Sequence, residues 1–293
     1  MEIFIQQVVA GLATGSIYAA LALALVMIYE ATDVVNFAQG EMAMFATYVC
    51  WTLLNAGMPY WAAFFATLAI AFAGGIVIER VVIRPVENAP ILTIVIVTIG
   101  LLVIFNSLAG WIYSYVQKPF PSPFPKEPIR IGGIVFGAHA LGQIAVTLVV
   151  LLCIWLFFRF TPLGLAMRAA AQNPVSSRLA GIRVGWMLAL GWGLAAMFGA
   201  VAGIMVAPVL FLDPNMMGGV QIYAFAAATL GGFTSPLGAV VGGLIVGVVE
   251  NLVGTYVKFI GTELKLTVAL AIIIGVLLVK PSGLFGRAVV RRV

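Results

Sequence analysis

Charge is what this chain has least of. Only 9% of its 293 residues are Asp, Glu, Lys or Arg, against about 25% in soluble domains. A water-facing surface cannot be covered by so few ionised groups, which excludes a soluble globular fold. Metal and thiol chemistry fail for want of ligands. The single histidine, His139, and the two cysteines, Cys50 and Cys153, fit no zinc or redox spacing. No GxxxxGK[ST] phosphate loop occurs, so the chain lacks the usual means of binding ATP and is not expected to be an enzyme alone. What is present is apolar: 63% hydrophobic residues and a mean hydropathy of +1.16. That is the composition of an integral membrane protein.

Nine apolar runs are readable, at about 3–28, 40–55, 61–83, 90–113, 140–160, 186–211, 219–233, 237–257 and 264–280. At a rise of about 1.5 Å per residue most of them cross a hydrocarbon core of about 30 Å. The expected fold is an all-α polytopic bundle of 8–9 spans forming one transmembrane domain over 1–293. The second and seventh runs are short and are expected to be broken or re-entrant. Gly231-Gly232 followed by Ser235-Pro236 marks a break after the seventh. The first run has no basic leader and is too long for a signal peptide.

Basic residues set the orientation. With the N-terminus outside, one side collects Arg80, Arg84, Arg159, Arg168, Arg178, Arg183, Lys280, Arg287, Arg291 and Arg292. The other receives Lys118, Lys126, Arg130, Lys258 and Lys265. The richer side is cytoplasmic by the positive-inside rule, and the net charge of +5 then needs no nucleic-acid partner. The C-terminus falls inside, as an odd number of spans requires. The proline-rich loop at 114–139, with "KPFPSPFPKEP", falls outside and is expected to be extended rather than helical. Glycine pairs at Gly11/Gly15, Gly199/Gly203, Gly238/Gly242 and Gly243/Gly247 read as close-packing positions.

One cytoplasmic loop is more than a connector. Thr161-Pro162 has the grammar of a helix start, a hydroxyl cap before proline. The helix would run to Gln172. Asn173-Pro174 repeats the grammar, and Gly181 would close a second short helix. The result is a rigid knuckle carrying Arg168 and Arg178. Its small residues leave a smooth surface for a protein partner; an interfacial loop with arginines on lipid phosphates is the other reading.

The loop, "RFTPLGLAMRAAAQNPVSSRLAGI", resembles the cytoplasmic loop of permease subunits in branched-chain amino-acid ABC importers. "GLATGSIYAALALALVMIYEATDVVNFAQGEMAMFATY" at 11–48 and "LGGFTSPLGAVVGGLIVGVVENL" at 230–252 resemble that family's N- and C-terminal motifs. The three blocks span nearly the whole chain in the family's order, and the match is to the shorter of its two permease types. The resemblance implies an inner-membrane importer with a second homologous permease, two cytoplasmic ATPases that bind ATP and Mg, and a periplasmic solute-binding protein. It implies that loop 161–182 holds the coupling helix, with Arg168, Gln172, Asn173, Pro174, Ser177, Arg178 and Gly181 as its ATPase-facing set. Such permeases serve leucine-like amino acids, urea, short amides and organic acids, so the resemblance specifies a class of small polar solute.

Polar residues inside spans usually face a pathway or the bundle interior. Asn36, Gln39 and Glu41, in the acidic stretch 29–44, are expected to line the translocation route or to cap helix ends. Glu250 and Asn251 would line the route or act as packing glue. Glu79-Arg80 reads as a local pair at a helix end. A secondary transporter driven alone by an ion gradient is the rival reading, and Glu250 is its one fair candidate for a coupling group.

Overall fold

The computed structural model describes residues 2–125, 127–131, 134–259, 261 and 264–286. Lys126, Arg287, Arg291 and Arg292, used above for orientation, lie outside the described residues. Those described contain, in order, α1 (Glu2–Thr32), α2 (Gln39–Asn55), α3 (Tyr60–Ile78), α4 (Ile91–Tyr113), the strands β1 (Ile129–Ile131) and β2 (Ile134–Phe136), then α5 (Ala138–Phe160), α6 (Pro162–Gln172), α7 (Pro174–Leu179), α8 (Val184–Leu210), α9 (Met217–Gly231), α10 (Pro236–Tyr256) and α11 (Lys265–Val279). Each of the nine apolar runs is a helix. The chain is a polytopic helical membrane protein.

Proline and its neighbours set many of the boundaries. Proline stands immediately before α3 and α4, where its fixed φ and extended ψ exclude a further helical residue. It is the first residue of α6, α7 and α10, behind the caps Thr161, Asn173 and Ser235. Ser235 Oγ accepts from the Gly238 amide at 3.0 Å. The break expected after the seventh run is present: α9 stops at Gly231, and Gly232 takes a left-handed φ of +102°.

Among the described residues six helices are long and apolar enough to cross a membrane: α1, α3 with its continuation to Val86, α4, α5, α8 and α10. The helices α2, α9 and α11 have 17, 15 and 15 residues, about 22–26 Å of rise at 1.5 Å per residue, short of a core of about 30 Å. The short second and seventh runs were expected; the short ninth was not. A further departure lies in the third run. Beyond Ile78 the α-helix gives way to a π-helical turn, Glu79–Ile83, and then to a 3-10 turn, Arg84–Val86. The charged pair Glu79-Arg80 marks the place, but hydropathy does not distinguish a π turn from a simple helix end. The described residues of the proline-rich segment between α4 and α5 contain no helix, and they include the antiparallel pair β1–β2, with Arg130 opposite Val135.

The chain divides into two compact units built from interleaved segments: residues 1–26, 124–145 and 219–293 in the first, 27–123 and 146–218 in the second. Boundaries of these segments fall within α1, within α5 and in the first residues of α9.

In the first unit, glycine brings α1 and α10 together. A methyl group on Gly15 would lie 2.8 Å from the Gly243 carbonyl oxygen, and one on Gly11 would lie 2.6 Å from Val248 Cα. Backbone therefore meets backbone with no room for a side chain, the close approach for which small residues are used in membranes. Gly242 similarly faces Ala227 of α9. Gln143 Nε2, on α5, donates to the Ala13 carbonyl of α1 at 3.1 Å.

In the second unit α8 is the central helix, packed against both α2 and α3. Its buried face includes Trp192, Phe198, Ile204 and Met205. Gly199 and Gly203 face Gln39, Ala43 and Thr47 of α2, and Gly193 faces Phe72 of α3. All four glycine pairs singled out in the sequence thus lie at helix contacts.

Candidate functional site

The knuckle is held by the caps that the sequence suggested. Thr161 Oγ1 accepts from the Gly164 amide at 3.0 Å and donates to the Phe157 carbonyl at 2.6 Å. Asn173 serves both helices. Its amide donates to Ala169 O at 3.0 Å, ending α6, and its Oδ1 accepts from Ser176 N at 2.9 Å, starting α7. Gly181 has φ +81°. Its N–H reaches Arg178 O at 3.0 Å, and the Ile182 N–H reaches Ser177 O at 2.9 Å. This pair of bonds terminates a helix through a left-handed residue and suits glycine. Two helices, one shared cap and one glycine stop leave the loop little freedom.

Of the seven coupling candidates, Arg168, Gln172, Asn173, Pro174, Arg178 and Gly181 are exposed, whereas Ser177 is buried at 5%. Ser177 therefore faces inward, on the side of the knuckle where α6 and α7 meet α8. Among the described residues neither Arg168 nor Arg178 has an ion-pair partner. The surface also contains two residues that the sequence reading missed. Val175 is 68% exposed and Leu179 86%. Four positions apart, they share one face of α7. Their spacing inside a helix bounded by Pro174 and Gly181 was the available clue. The outer face of α7 is therefore apolar at Val175 and Leu179 and cationic at Arg178.

Between α1 and α2 the chain unwinds. Asp33 takes φ +54° and its amide still bonds Tyr29 O at 2.8 Å. Asn36 then folds the link onto itself. Its Oδ1 accepts from Ala38 N at 3.0 Å, and its Nδ2 donates to Gln39 Oε1 at 3.2 Å. Gln39 Nε2 donates to the Ala195 carbonyl of α8 at 2.9 Å. Both amides are fully buried. They satisfy one another and the backbone within a buried, irregular segment, where unpaired polar groups would be costly.

Glu41 has different surroundings. Asn106 Nδ2 approaches its Oε2 at 3.5 Å and also donates to Pro214 O at 2.9 Å and to Asn215 Oδ1 at 3.1 Å. The Tyr115 hydroxyl donates to Asn106 Oδ1 at 3.2 Å. Acceptors outnumber donors here, and Asn215 is exposed. The flanking helices end in left-handed non-glycine residues, Ser114 at φ +65° and Phe211 at φ +64°. Asn106, Tyr115 and Asn215 come from segments far from residue 41, so no local pattern pointed to them.

The other intramembrane pair belongs to the first unit. Glu250 receives the Tyr18 hydroxyl at 2.7 Å on Oε2 and Lys265 Nζ at 3.7 Å on Oε1. Tyr18 stacks on Tyr223 with ring centres 4.8 Å apart. Asn251 Nδ2 donates to Thr14 Oγ1 at 2.9 Å and to Gly247 O at 3.0 Å. Both residues bond to α1 beside the glycine seam. Glu79 and Arg80 are indeed neighbours at a helix end, with Arg80 Nε 3.9 Å from Glu79 Oε2, and Arg84 joins them at 3.3 Å.

Comparison with known proteins agrees with these motifs. A family model described as the branched-chain amino acid transport system permease component matches residues 7–277. The permease LivH of the high-affinity branched-chain amino acid transport system of Salmonella typhimurium is 34% identical, with 99% of this chain and 98% of that one covered. The permease BraD of the Pseudomonas aeruginosa system is 32% identical, with 99% and 98% covered. Among solved structures, PsaBC from Streptococcus pneumoniae in complex with Fab matches with a TM-score of 0.51 at 13% identity, covering 93% of this chain and 91% of that one. At that identity the likeness concerns the fold alone. With a family model over most of its length and relatives matched end to end, this chain belongs to the permease component family of branched-chain amino acid transport systems, whose role is transport rather than catalysis.

Proposed function

We propose that this chain is the transmembrane permease subunit of an ATP-driven, binding-protein-dependent importer for branched-chain amino acids or similar small polar solutes. Its partners are a second homologous permease, two cytoplasmic ATPases that bind ATP and Mg, and a periplasmic solute-binding protein. It lies in a bacterial inner membrane with its N-terminus periplasmic and its C-terminus cytoplasmic. The observation that carries the reading is the outer face of α7, where Val175, Leu179 and Arg178 stand exposed on a doubly capped knuckle. An apolar pair beside a cation on a rigid support is suited to a cleft in a soluble partner. Closure of the ATPases displaces the knuckle, and because its caps prevent bending, the displacement reaches α8 as movement of a rigid lever.

Sidedness receives support from within the second unit. Arg80 and Arg84 meet the first turn of α8, next to the knuckle and Arg183. At the other ends of these helices, Lys118 pairs backbone bonds with Leu212 and sits 5.1 Å from the ring centre of Trp51. The basic cluster and the lone lysine thus occupy opposite helix ends, as the positive-inside rule expects. For the route, Glu41 with Asn106 and Asn215 offers acceptors to a solute ammonium, while Asn36 and Gln39 hold that segment in place from behind. Glu250 and Asn251 tie α10 to α1.

The deciding experiment is uptake by the reconstituted complex in vesicles. Transport that requires ATP and the binding protein, and is lost in Arg178→Glu while ATP hydrolysis continues, fits the proposal. Uptake by this chain alone under an ion gradient would instead establish the secondary transporter.

A further inference from the structure

At the end of α3 the helix changes its winding where it meets α8. π-helical turns are rare, and they are found frequently at functional sites. Residues Glu79–Ile83 form one here and Arg84 opens the 3-10 turn that follows; Arg80 and Arg84 meet α8, and Glu79 meets Arg84. Glu79 is buried, at 2% exposure. Arg84 Nη2 lies 3.3 Å from Glu79 Oε1 and also donates to the Gly185 carbonyl. The Arg80 guanidinium lies 3.6 Å from the centre of the Trp186 ring, a cation–π distance. A methyl group on Gly185 would come within 2.7 Å of Arg84 Nη2, so a larger residue there would make the guanidinium shift from its present place.

Gly185 and Trp186 belong to the first turn of α8, directly after the stop of the knuckle at Gly181. Two turns further along, Gly75 and Gly193 set the backbones of α3 and α8 against each other. Apolar and glycine contacts of that kind resist separation and resist sliding weakly. A guanidinium shared by a carboxylate and a carbonyl is directional. Among the described residues, the buried atoms Glu79 Oε2, Arg80 Nε and Arg80 Nη2 have no hydrogen-bond partner. So many charged atoms would be a poor choice if holding the two helices together were the whole purpose.

We infer that Glu79, Arg80 and Arg84 form a pin, a set of positioning residues through which displacement of loop 161–183 passes from the first turn of α8 into α3. The inference rests on the reading of that loop as the ATPase contact. With the pin in place, knuckle, α8 and α3 move as one body. Without it, α8 slides along α3 and the movement is lost at the glycine contact.

The test uses the full importer with spin labels at Ser176→Cys on α7 and Val77→Cys on α3, both exposed, in a Cys153→Ser background. With the pin intact, the distance between the labels is the same in the nucleotide-free and ATP-trapped states. In Arg84→Gln it differs between the states, and uptake per ATP hydrolysed falls about fivefold, with partial recovery in Arg84→Lys. An unchanged distance together with normal uptake per ATP in Arg84→Gln overturns the pin. Should Arg84→Gln fail to assemble, Trp186→Leu against Trp186→Phe decides on the same two readouts, because Trp186 sits at the exposed rim. Arg178→Glu separates the two ideas. Normal coupling there overturns the loop as ATPase contact, whereas the label distance in Arg84→Gln still decides the pin.

Discussion

The Tyr18 hydroxyl donates to Glu250 Oε2 at 2.7 Å, joining residues 232 positions apart. Lys265 Nζ holds the other carboxylate oxygen at 3.7 Å. A carboxylate engaged on both sides is a cross-link between helices, and a proton or sodium ion would have to break it to use the site. Glu250→Gln keeps the bond from Tyr18 and should cost about 1 kcal/mol, whereas Tyr18→Phe leaves the buried carboxylate short of a donor at about 1–3 kcal/mol. Thermal unfolding in detergent measures both. Uptake in either variant should stay indifferent to proton and sodium gradients; a gradient-driven wild type inactivated by Glu250→Gln would favour the ion-coupled rival.

The glycine seam should tolerate no side chain. Gly15→Leu places a branched chain where a single methyl already meets the Gly243 carbonyl oxygen at 2.8 Å. Overpacking of this kind costs about 1–3 kcal/mol when neighbours can shift, and here they are backbone. Folded yield should fall sharply. Gly275 has nothing within 4 Å, so Gly275→Ala should be neutral or slightly stabilising, as alanine is the better helix former.

Bracing and lining can be told apart in the link between α1 and α2. Gln39→Leu removes the bond to Ala195 O and the acceptor used by Asn36, leaving buried polar groups unmet at about 1–3 kcal/mol. The melting temperature should drop. Glu41→Gln changes charge at nearly constant volume beside Asn106, so it should lower the uptake rate with little effect on melting. The reverse pattern would exchange the two roles.

Gly181 carries the stop of the knuckle at φ +81°. Gly181→Ala should cost about 1–2 kcal/mol locally, and Gly181→Pro should remove the N–H that reaches Arg178 O. Both should loosen α7 and reduce uptake per ATP while the membrane helices remain folded, as circular dichroism would record. Leu179→Asp should act earlier, reducing co-purification of the ATPases.

Legibility in the sequence followed the range of the interaction. The knuckle was readable because caps act within a few residues: Thr161 on Gly164, Asn173 on Ser176, Gly181 on Arg178. The spans were readable because the bilayer imposes length and hydropathy, and the glycine pairs because small residues four apart mark one helix face. What stayed hidden depends on partners distant in sequence. Glu41 gave no hint of Asn106 or Asn215, nor Glu250 of Tyr18 and Lys265. The π turn at Glu79–Ile83 was invisible for another reason. Glu79 and Arg80 mark a helix end in the sequence, but a charged pair does not say that the backbone winds wider there.

The seam between α1 and α10 also has a consequence for biosynthesis. Gly15 leaves the ribosome more than two hundred residues before Gly243. At about 5–20 residues per second, α1 must wait in the bilayer for roughly ten seconds or longer before its partner exists. Between Ile3 and Ile28 it carries no ionised side chain, so lipid alone can hold it meanwhile. The bare glycine face is a cost deferred until the final quarter of translation, and a nascent chain cut short before α10 would present that face to whatever helix passes next.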